Sequence, residues 1–314
     1  MLRVAILGAG LQGTRRARAA VQVAADGSDI ELVGIYDTDR AAATKLATAV
    51  GTRVLDDISD SRIDLVVVAT PNVYHDEFAR EALTWGQHVL CEKPLGFDGR
   101  GALELVELAR TTGRMLRSGY HIRQYAAVQW VRDLLQRGRF GSLETVTVCY
   151  GSQRGPDFNG TWRSQPIMVG GGVLVDQGIH ALDLVQWLTG TMMWVESVEE
   201  AVRTLSPDLE DDVLVCLRSA TGVPIRVASS WTRWSARFVL EVVGTQGRVQ
   251  LVGLGGKYGP QTADLNEDPR RVFGPVDVWA QEWRDILAEL AGEHHAGGPG
   301  HEAVLLLDQA KTFQ

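Results

Sequence analysis

Two sets of residues in this sequence have the types and spacing for chemistry. The first is Glu92-Lys93-Pro94, which ends the apolar run His88-Val89-Leu90-Cys91. A lysine just beyond a strand of an open α/β sheet faces the crevice where such sheets hold their ligands. The second is Asp176 and His180, four residues apart in a segment that opens with Gly170-Gly171-Gly172 and carries Gly178 between them. On an α-helix that spacing puts the two side chains about 40° apart on one face. Asp183 follows three residues later, near the same face. An imidazole with its ordinary pKa of about 6.5 can accept a proton at neutral pH. A carboxylate one turn back can orient it, and an ammonium can stabilise negative charge developing on oxygen. A helical histidine by itself is more often a packing or surface residue. Here the acid, the glycine run and Gly178 favour function. Glycine inside a helix costs roughly 1 kcal/mol relative to alanine, so Gly178 is expected to admit another backbone or a ligand.

What these groups would act upon is suggested by Gly8-Ala-Gly10-Leu11-Gln12-Gly13, set between an apolar strand and a helix. In this context Gly8 permits the tight turn, Gly10 lets backbone N–H groups approach a pyrophosphate, and Gly13 allows close packing of helix on strand. The phosphates would sit at the helix N-terminus, where free N–H groups and the dipole favour anions. Asp37 lies 24 residues past Gly13 (37 − 13) at the tip of the second strand. Its carboxylate can accept from ribose hydroxyls and would repel a 2′-phosphate, which favours NAD over NADP. Thr38 and Arg40 follow it, and the arginine could soften that preference. A flavin or S-adenosyl ligand on the same type of fold is the alternative.

The elements that must position these residues follow from patterning. Apolar runs at residues 2–7, 31–36, 65–69, 88–91 and 115–118 read as strands buried on both faces. Helices are expected between them: after the glycine loop to about 23, over 39–50, after the Thr70-Pro71-Asn72 break to about 85, and over 99–112. Strand and helix in alternation give a doubly wound parallel sheet. Past Tyr120 the rhythm changes. A helix is expected over 125–136, a strand over 145–151, and a long polar loop over 152–169 that holds Asn159, Trp162 and Arg163. A helix from Val173 is ended by Gly190. Strands at 195–202, 213–217, 225–230 and 238–243, then a hairpin at Thr245-Gln246-Gly247 into 248–252, predict an antiparallel sheet and an α+β second domain. An amphipathic helix over 278–290, a glycine loop over 297–300 and a short final helix close the chain. The domain division is 1–120 and 121–314, with a C-terminal helix able to pack back on the first domain.

Composition narrows the function classes. A net charge of −8 over 314 residues, with no clustered basic stretch, excludes a nucleic-acid surface. Arg15, Arg16 and Arg18 read as a solvated helix face. Cys91, Cys149 and Cys216 are scattered, as expected of reduced thiols in a cytoplasmic protein, with neither a disulfide framework nor zinc spacing. Met1 leads straight into the first strand, which leaves no room for a signal peptide, and no apolar run is long enough to span a membrane.

Taken together, GAGLQG at 8–13, the acid Asp37, ATPNVYH at 69–75, CEKPLG at 91–96 and GGGVLVDQGIHALDLVQWLTG at 170–190 resemble the glucose–fructose oxidoreductase / inositol dehydrogenase / MocA family over essentially the whole chain. The resemblance implies an N-terminal Rossmann domain and a C-terminal α+β domain whose large, mostly antiparallel sheet forms homodimers or homotetramers. It implies hydride transfer between NAD or NADP and a hydroxyl carbon of a sugar, cyclitol or nucleotide-sugar. Lys93, Asp176 and His180 become the catalytic set, with a Lys93–Pro94 bond that is often cis in relatives. Cofactor contacts are expected from Gly8, Gly10, Leu11, Gln12, Gly13, Asp37, Thr38, Ala69, Thr70, Pro71, Asn72, His75, Glu92 and Lys93. Substrate contacts are expected from Arg123, Trp162, Arg163, Asp176 and His180, and no metal is implied. Many members continue the arginine at Arg123 with Phe-x-Pro. This chain has Gln124-Tyr125 there, which leaves the substrate open. Whether His180 or Lys93 relays the proton is also open. The family fold further hosts NAD-dependent glycoside hydrolases and non-catalytic dinucleotide-binding regulators.

Overall fold

The structure is a computed structural model that describes residues 1–60, 62–201, 208–293 and 298–313. By proximity the chain forms two compact units, Met1–His121 with Asp277–His301, and Ile122–Val276 with Glu302–Gln314.

In the first unit β1 (Leu2–Leu7), α1 (Leu11–Ala25), β2 (Ile30–Tyr36), α2 (Arg40–Val50), β3 (Leu65–Val68), α3 (His75–Thr84), β4 (His88–Cys91), α4 (Gly99–Thr112) and β5 (Leu116–Ser118) alternate. The five strands make one parallel sheet in the order β2-β1-β3-β4-β5. The change of direction at β1 and β3 is the switch point at which doubly wound sheets hold ligands. Strand β3 is Leu-Val-Val-Val, fully buried, as a strand covered on both faces must be. Asp39 caps α2, its side chain accepting from the N–H groups of Ala41 and Ala42.

The second unit begins with α5 (Ala126–Gln136) and β6 (Leu143–Ser152). The stretch expected as a plain loop over 152–169 instead holds two short 3₁₀ turns and α6 (Pro166–Val169). The helix expected from Val173 opens as a π-turn, Leu174–Gly178, and becomes α-helical only at α7 (Ile179–Thr189), which Gly190 ends in the left-handed region. Then come β7 (Met193–Ala201), β8 (Asp212–Ser219), β9 (Pro224–Ser230), β10 (Ala236–Gly244), β11 (Gly247–Val252), β12 (Gln261–Leu265) and β13 (Arg271–Phe273). They form an eight-stranded sheet in the order β13-β12-β11-β10-β6-β9-β8-β7. It is antiparallel except where β6 runs parallel to β9. The hairpin at Thr245-Gln246 is present, with Gly244 opposite Gly247. Strands β12 and β13 had no clear signal in the sequence. Val202, given to a strand, and Gly297, given to a loop, lie outside the described residues.

Alternation along β8 and β10 buries one face of this sheet and leaves the other half-exposed. On the open face a cross-strand row runs Val272, Thr262, Val252, Val239, Cys149, Ala228, Leu214.

Two further helices follow, α8 (Val278–Leu290) and α9 (Glu302–Thr312). Of the two, α8 packs on the first unit's sheet layer. Its Ala280, Trp283 and Ile286 join Val4, Ile6, Ala17, Ala20, Val23 and Ile35 in one buried core. The Trp283 indole N–H donates to the Arg16 carbonyl at 3.1 Å. The helix α9 groups with the second unit, where Gln309 accepts from the Val195 N–H. No helix is long and apolar enough to cross a membrane among the described residues.

Candidate functional site

In the first unit the glycine loop is built as a cradle of backbone. Gly8 has φ near +100°, and a Cβ there would meet the Ala69 carbonyl oxygen at 2.5 Å. A Cβ on Gly13 would fall 1.7 Å from the Gly8 carbonyl oxygen, so α1 rests directly on the turn. At Gly10, by contrast, nothing lies within 4 Å of the position a Cβ would take. Gly10 is also the N-cap of α1, no side chain caps that end, and Leu11 beside it is exposed. Open space in front of uncapped N–H groups fits a pyrophosphate. The Asp37 carboxylate accepts from the Ala9 N–H at 2.6 Å and the Asp39 N–H at 2.8 Å. Carboxylate oxygens hold about four lone-pair sites, which leaves capacity for ribose hydroxyls. Arg40 is turned to the Leu55 carbonyl and to Asp56 in an exposed pair. The Thr70 hydroxyl is buried with no hydrogen-bond partner, as an atom awaiting a ligand would be. These residues fit a dinucleotide.

Behind the cradle the motif residues hold one another. The Lys93–Pro94 bond is cis. The His75 ring, buried, lies between the Pro94 carbonyl at 2.7 Å and the Thr70 carbonyl at 3.0 Å. Burial pushes its pKa down, so at neutral pH the ring is uncharged and its single N–H donates to one of these two carbonyls. Asn72 is buried, Ala69, Pro71 and Gln12 are half-buried, and Thr38 is exposed. Glu92, expected as a cofactor contact, is buried and accepts from the Arg16 guanidinium at 2.8 Å. Arg16 corrects the reading of the three early arginines as a solvated face. Arg15 and Arg18 are exposed, but Arg16 is fully enclosed between Glu92 and, at 2.5 Å, Glu282 of α8. Burial opposes its charge, but Glu282 and Glu92 more than offset that and raise its pKa.

The second unit gathers a different kind of site, made of side chains from separate elements. The π-turn matters here, because the Ile179 N–H reaches back five residues to the Leu174 carbonyl. The 40° spacing assumed an α-helical period from Asp176 to His180 and does not apply through the wider turn. Such turns inside helices are frequent at functional sites. Asp176 pairs with Arg154 and accepts from the Trp231 indole at 3.1 Å. Buried His180 meets the edge of Tyr150, ring centroids 5.9 Å apart. Tyr150 in turn lies 5.4 Å from Tyr258. Burial and then the Tyr258 hydroxyl push the Tyr150 phenol well up, so it stays protonated. Gln177 holds Ser152 through the Ser152 N–H and hydroxyl, and Lys257 donates to the same hydroxyl at 2.8 Å. Arg163 stacks on Trp162 with 4.4 Å to the ring centroid.

The Glu210 carboxylate accepts from the N–H groups of Gly172 and Leu174, closing the helix start. What Gly178 admits is the Leu174 side chain and the Ser229 hydroxyl, not another backbone. Asp183 is turned away from the Asp176 cluster into a buried ion pair with Arg123, whose Nε donates at 2.9 Å. Arg123, expected to touch substrate, therefore sits in that buried pair.

Tyr150, Arg154, Trp231, Lys257 and Tyr258 were not found from the sequence. Only the last pair left a signal, a Lys-Tyr dipeptide inside the glycine-rich run 253–259. Among the described residues no group of three His, Cys, Asp or Glu side chains could hold a metal ion.

Residues 2–120 match the family described as an oxidoreductase family with an NAD-binding Rossmann fold, and residues 128–250 match the GFO/IDH/MocA C-terminal domain. The 1,5-anhydro-D-fructose reductase of Ensifer adhaerens is 30% identical over 235 residues, 74% of this chain and 70% of that protein. Inositol 2-dehydrogenase of Acidothermus cellulolyticus is 30% identical over 296 residues, 91% of this chain and 80% of that one. The solved structure of GenD2 from gentamicin A biosynthesis in complex with NAD is 26% identical with a TM-score of 0.83, covering 99% of this chain and 93% of that chain. Levoglucosan dehydrogenase in complex with NADH and levoglucosan shares the fold, with a TM-score of 0.87 at 20% identity over 99% of this chain and 96% of that one. By both of its matched regions the chain belongs to the GFO/IDH/MocA family of NAD-binding oxidoreductases.

Proposed function

We propose that the protein transfers a hydride between NAD and a hydroxyl-bearing carbon of a sugar-like substrate: a sugar, a cyclitol or a nucleotide-sugar. The observation that carries this reading is the open, uncapped N-terminus of α1 at Gly10, with the Asp37 carboxylate set beside it. The names of the relatives, a reductase and a dehydrogenase of sugar and inositol, support the substrate class. Bound NAD supplies the hydride acceptor for oxidation. His180 accepts the proton from the substrate hydroxyl, and Lys93 stabilises negative charge developing on that oxygen. Asp176, held by Arg154 and Trp231, binds a neighbouring hydroxyl or orients the imidazole. Asp37 and the engagement of Arg40 with Asp56 favour NAD over NADP, although an exposed pair of that kind is weak enough to be displaced.

Lys93→Met and His180→Ala, made separately, are each expected to lower the rate of the chemical step by about 10²–10⁴ while leaving NAD affinity unchanged. Normal turnover in His180→Ala would return His180 to packing and make Lys93 the proton relay. Normal turnover in both would remove the assignment. Calorimetric titration of both oxidised cofactors tests the preference for NAD, and tighter NADP binding would sink it. Net cofactor reduction across a panel of sugars, cyclitols and nucleotide-sugars, measured against release of a glycosidic leaving group, separates a dehydrogenase from a glycoside hydrolase.

We further infer a homo-oligomer assembled on the open face of the eight-stranded sheet. The support is its cross-strand row, in which Val252 and Val272 are exposed. Light scattering that reports a monomer at micromolar concentration would count against it. The scattered free cysteines support a reducing, cytoplasmic setting.

A further inference from the structure

The connection from β4 to α4, residues 92–98, has no regular structure of its own, yet it carries Lys93. A side chain on such a segment is placed only as well as the contacts that hold the surrounding backbone. Three contacts hold this one beyond Lys93. The His75 ring lies 2.7 Å from the Pro94 carbonyl oxygen. The Gly96 N–H donates to the Cys91 sulfur. The Phe97 N–H donates to the Asp76 carboxylate at 2.6 Å, a short bond to a charged acceptor and so stronger than a neutral one. His75 and Asp76 are neighbours in the first turn of α3, so one helix end meets the connection at two points three residues apart (97 − 94).

The Asp76 carboxylate is fitted into the connection. Its Oδ1 is buried with no hydrogen-bond partner. A Cβ on Gly96 would come 2.8 Å from that oxygen, and one on Gly101, in the first turn of α4, would come 2.2 Å from it. Burial raises the Asp76 pKa, against the Phe97 bond, and the like charge of Asp98 adds to the rise; His75 and Arg80 act the other way. An acid in the first turn of a helix suits its dipole, but an exposed one would do so without this loss of solvation. The half-buried seat is explained by the Phe97 N–H that it holds.

Given the oxidoreductase reading above, we propose that Asp76 is a positioning residue for Lys93: its carboxylate fixes Phe97, and with it the turn from which the Lys93 ammonium serves the reaction.

The test uses the full chain. Asp76→Ala removes the acceptor, and Asp76→Asn keeps an oxygen for Phe97 in nearly the same shape. Two readouts need no substrate: hydrogen exchange over residues 92–98, and the rate at which acetic anhydride modifies Lys93, both followed by mass spectrometry with NAD bound. Asp76→Ala should speed the exchange and change Lys93 modification several-fold, and Asp76→Asn should stay close to the unaltered protein. With NAD and either myo-inositol or D-glucose as probe, Asp76→Ala should lower kcat by about tenfold while KM for NAD stays within about twofold, and Asp76→Asn should recover most of the loss. In a Lys93→Met background the alanine change should cost nothing more, because residues that act as a unit are not additive. A kcat loss repeated in full on top of Lys93→Met would overturn the proposal, since Asp76 would then only hold the fold. So would exchange and Lys93 modification unmoved in Asp76→Ala, or an Asp76→Asn as impaired as the alanine variant. Altered Lys93 modification in Asp76→Ala beside normal turnover in Lys93→Met would uphold the placement of Lys93 by Asp76 and strike the catalytic role of Lys93, which keeps failure of the earlier reading apart.

Discussion

Arg16 in the first unit and Arg154 in the second are both arginines drawn away from water, and they are set in opposite surroundings. Arg16 is fully enclosed by two glutamates, Glu92 and Glu282, so negative charge exceeds positive around it. Arg154 keeps 26% of its side chain exposed, shares one aspartate, and has a second arginine near enough to oppose its charge. The first arrangement joins three segments, α1, the Glu92-Lys93-Pro94 turn and α8, through two carboxylates, with Nη2 of Arg16 buried and outside those bonds. The second pairs with one carboxylate, Asp176, and its buried Nε has no hydrogen-bond partner. Burial alone does not mark an arginine as structural. What separates the two is exposure and the number of paired carboxylates: two around a fully enclosed Arg16, one beside a partly exposed Arg154.

The comparison predicts unequal costs of removal. Arg16→Met strands two buried carboxylates and should destabilise the protein by about 3–5 kcal/mol in a urea or thermal melt. The triple change Arg16→Met with Glu92→Gln and Glu282→Gln should recover part of that loss, since a buried network is less harmful when removed whole than when broken. A melt of the single variant unchanged within error would mean the cage does not hold the unit together.

A smaller effect is expected from acid, and on the first unit. His121, stacked on Trp279 with ring centroids 4.6 Å apart, has its pKa pulled from 6.5 to about 3 by burial and then by Arg16 and Arg15. Its folded pKa lies below its unfolded one, so the unfolded chain takes up the proton first. The stability that depends on a neutral His121 is full above about pH 6.5 and is lost as the pH falls toward about 3. His75 and His88, both lowered chiefly by burial, act in the same direction. Urea midpoints read from pH 7 to pH 4 should fall, and His121→Gln should flatten the slope. An identical slope in that variant would assign the acid sensitivity to other groups.

The smallest change in stability belongs to Arg154→Met. Its pair with Asp176 keeps water at both side chains, 26% and 21% exposed, and such pairs contribute about 1 kcal/mol or less. A melt within that range, beside impaired turnover, would sharpen the contrast with Arg16. A loss as large as that of Arg16→Met would erase it.

The same contrast explains what could be read from the sequence. The first unit's cradle is backbone, and backbone geometry leaves a mark: Gly8, Gly10 and Gly13 are required by turn, space and contact, and the Leu-Val-Val-Val of β3 is required by burial on two faces. The second unit's sheet was legible as a series of strands from β6 to β11, without β12 and β13. The parallel pairing of β6 with β9 was not, because pairing leaves no trace in the alternation of a single strand. The π-turn at Leu174–Gly178 was invisible for a similar reason: one extra residue in a turn hardly disturbs an apolar pattern. Glu210 closes a helix start 38 residues earlier, and Arg154 meets Asp176 across 22 residues (176 − 154), so no spacing rule reaches either. Arg16 misled because its carboxylates come from turns and helices 76 and 266 residues away.

The reach of α8 into the first unit also bears on how the chain is made. Residues 1–121 emerge from the ribosome with Arg16, Glu92 and the small-residue face of α1 already present, but Glu282, Trp283 and Ile286 are still uncoded in the nascent peptide. The 155 residues between His121 and Asp277 (277 − 121 − 1) must be polymerised first, which takes on the order of ten seconds or more at ordinary elongation rates. Throughout that interval the Rossmann half has an unfilled seam where α8 will lie, and an arginine with one of its two counter-charges. Proteolysis of stalled nascent chains should find this half cleavable until α8 has emerged and protected afterwards. The α/β half, although written first, would then be among the last parts of the molecule to close.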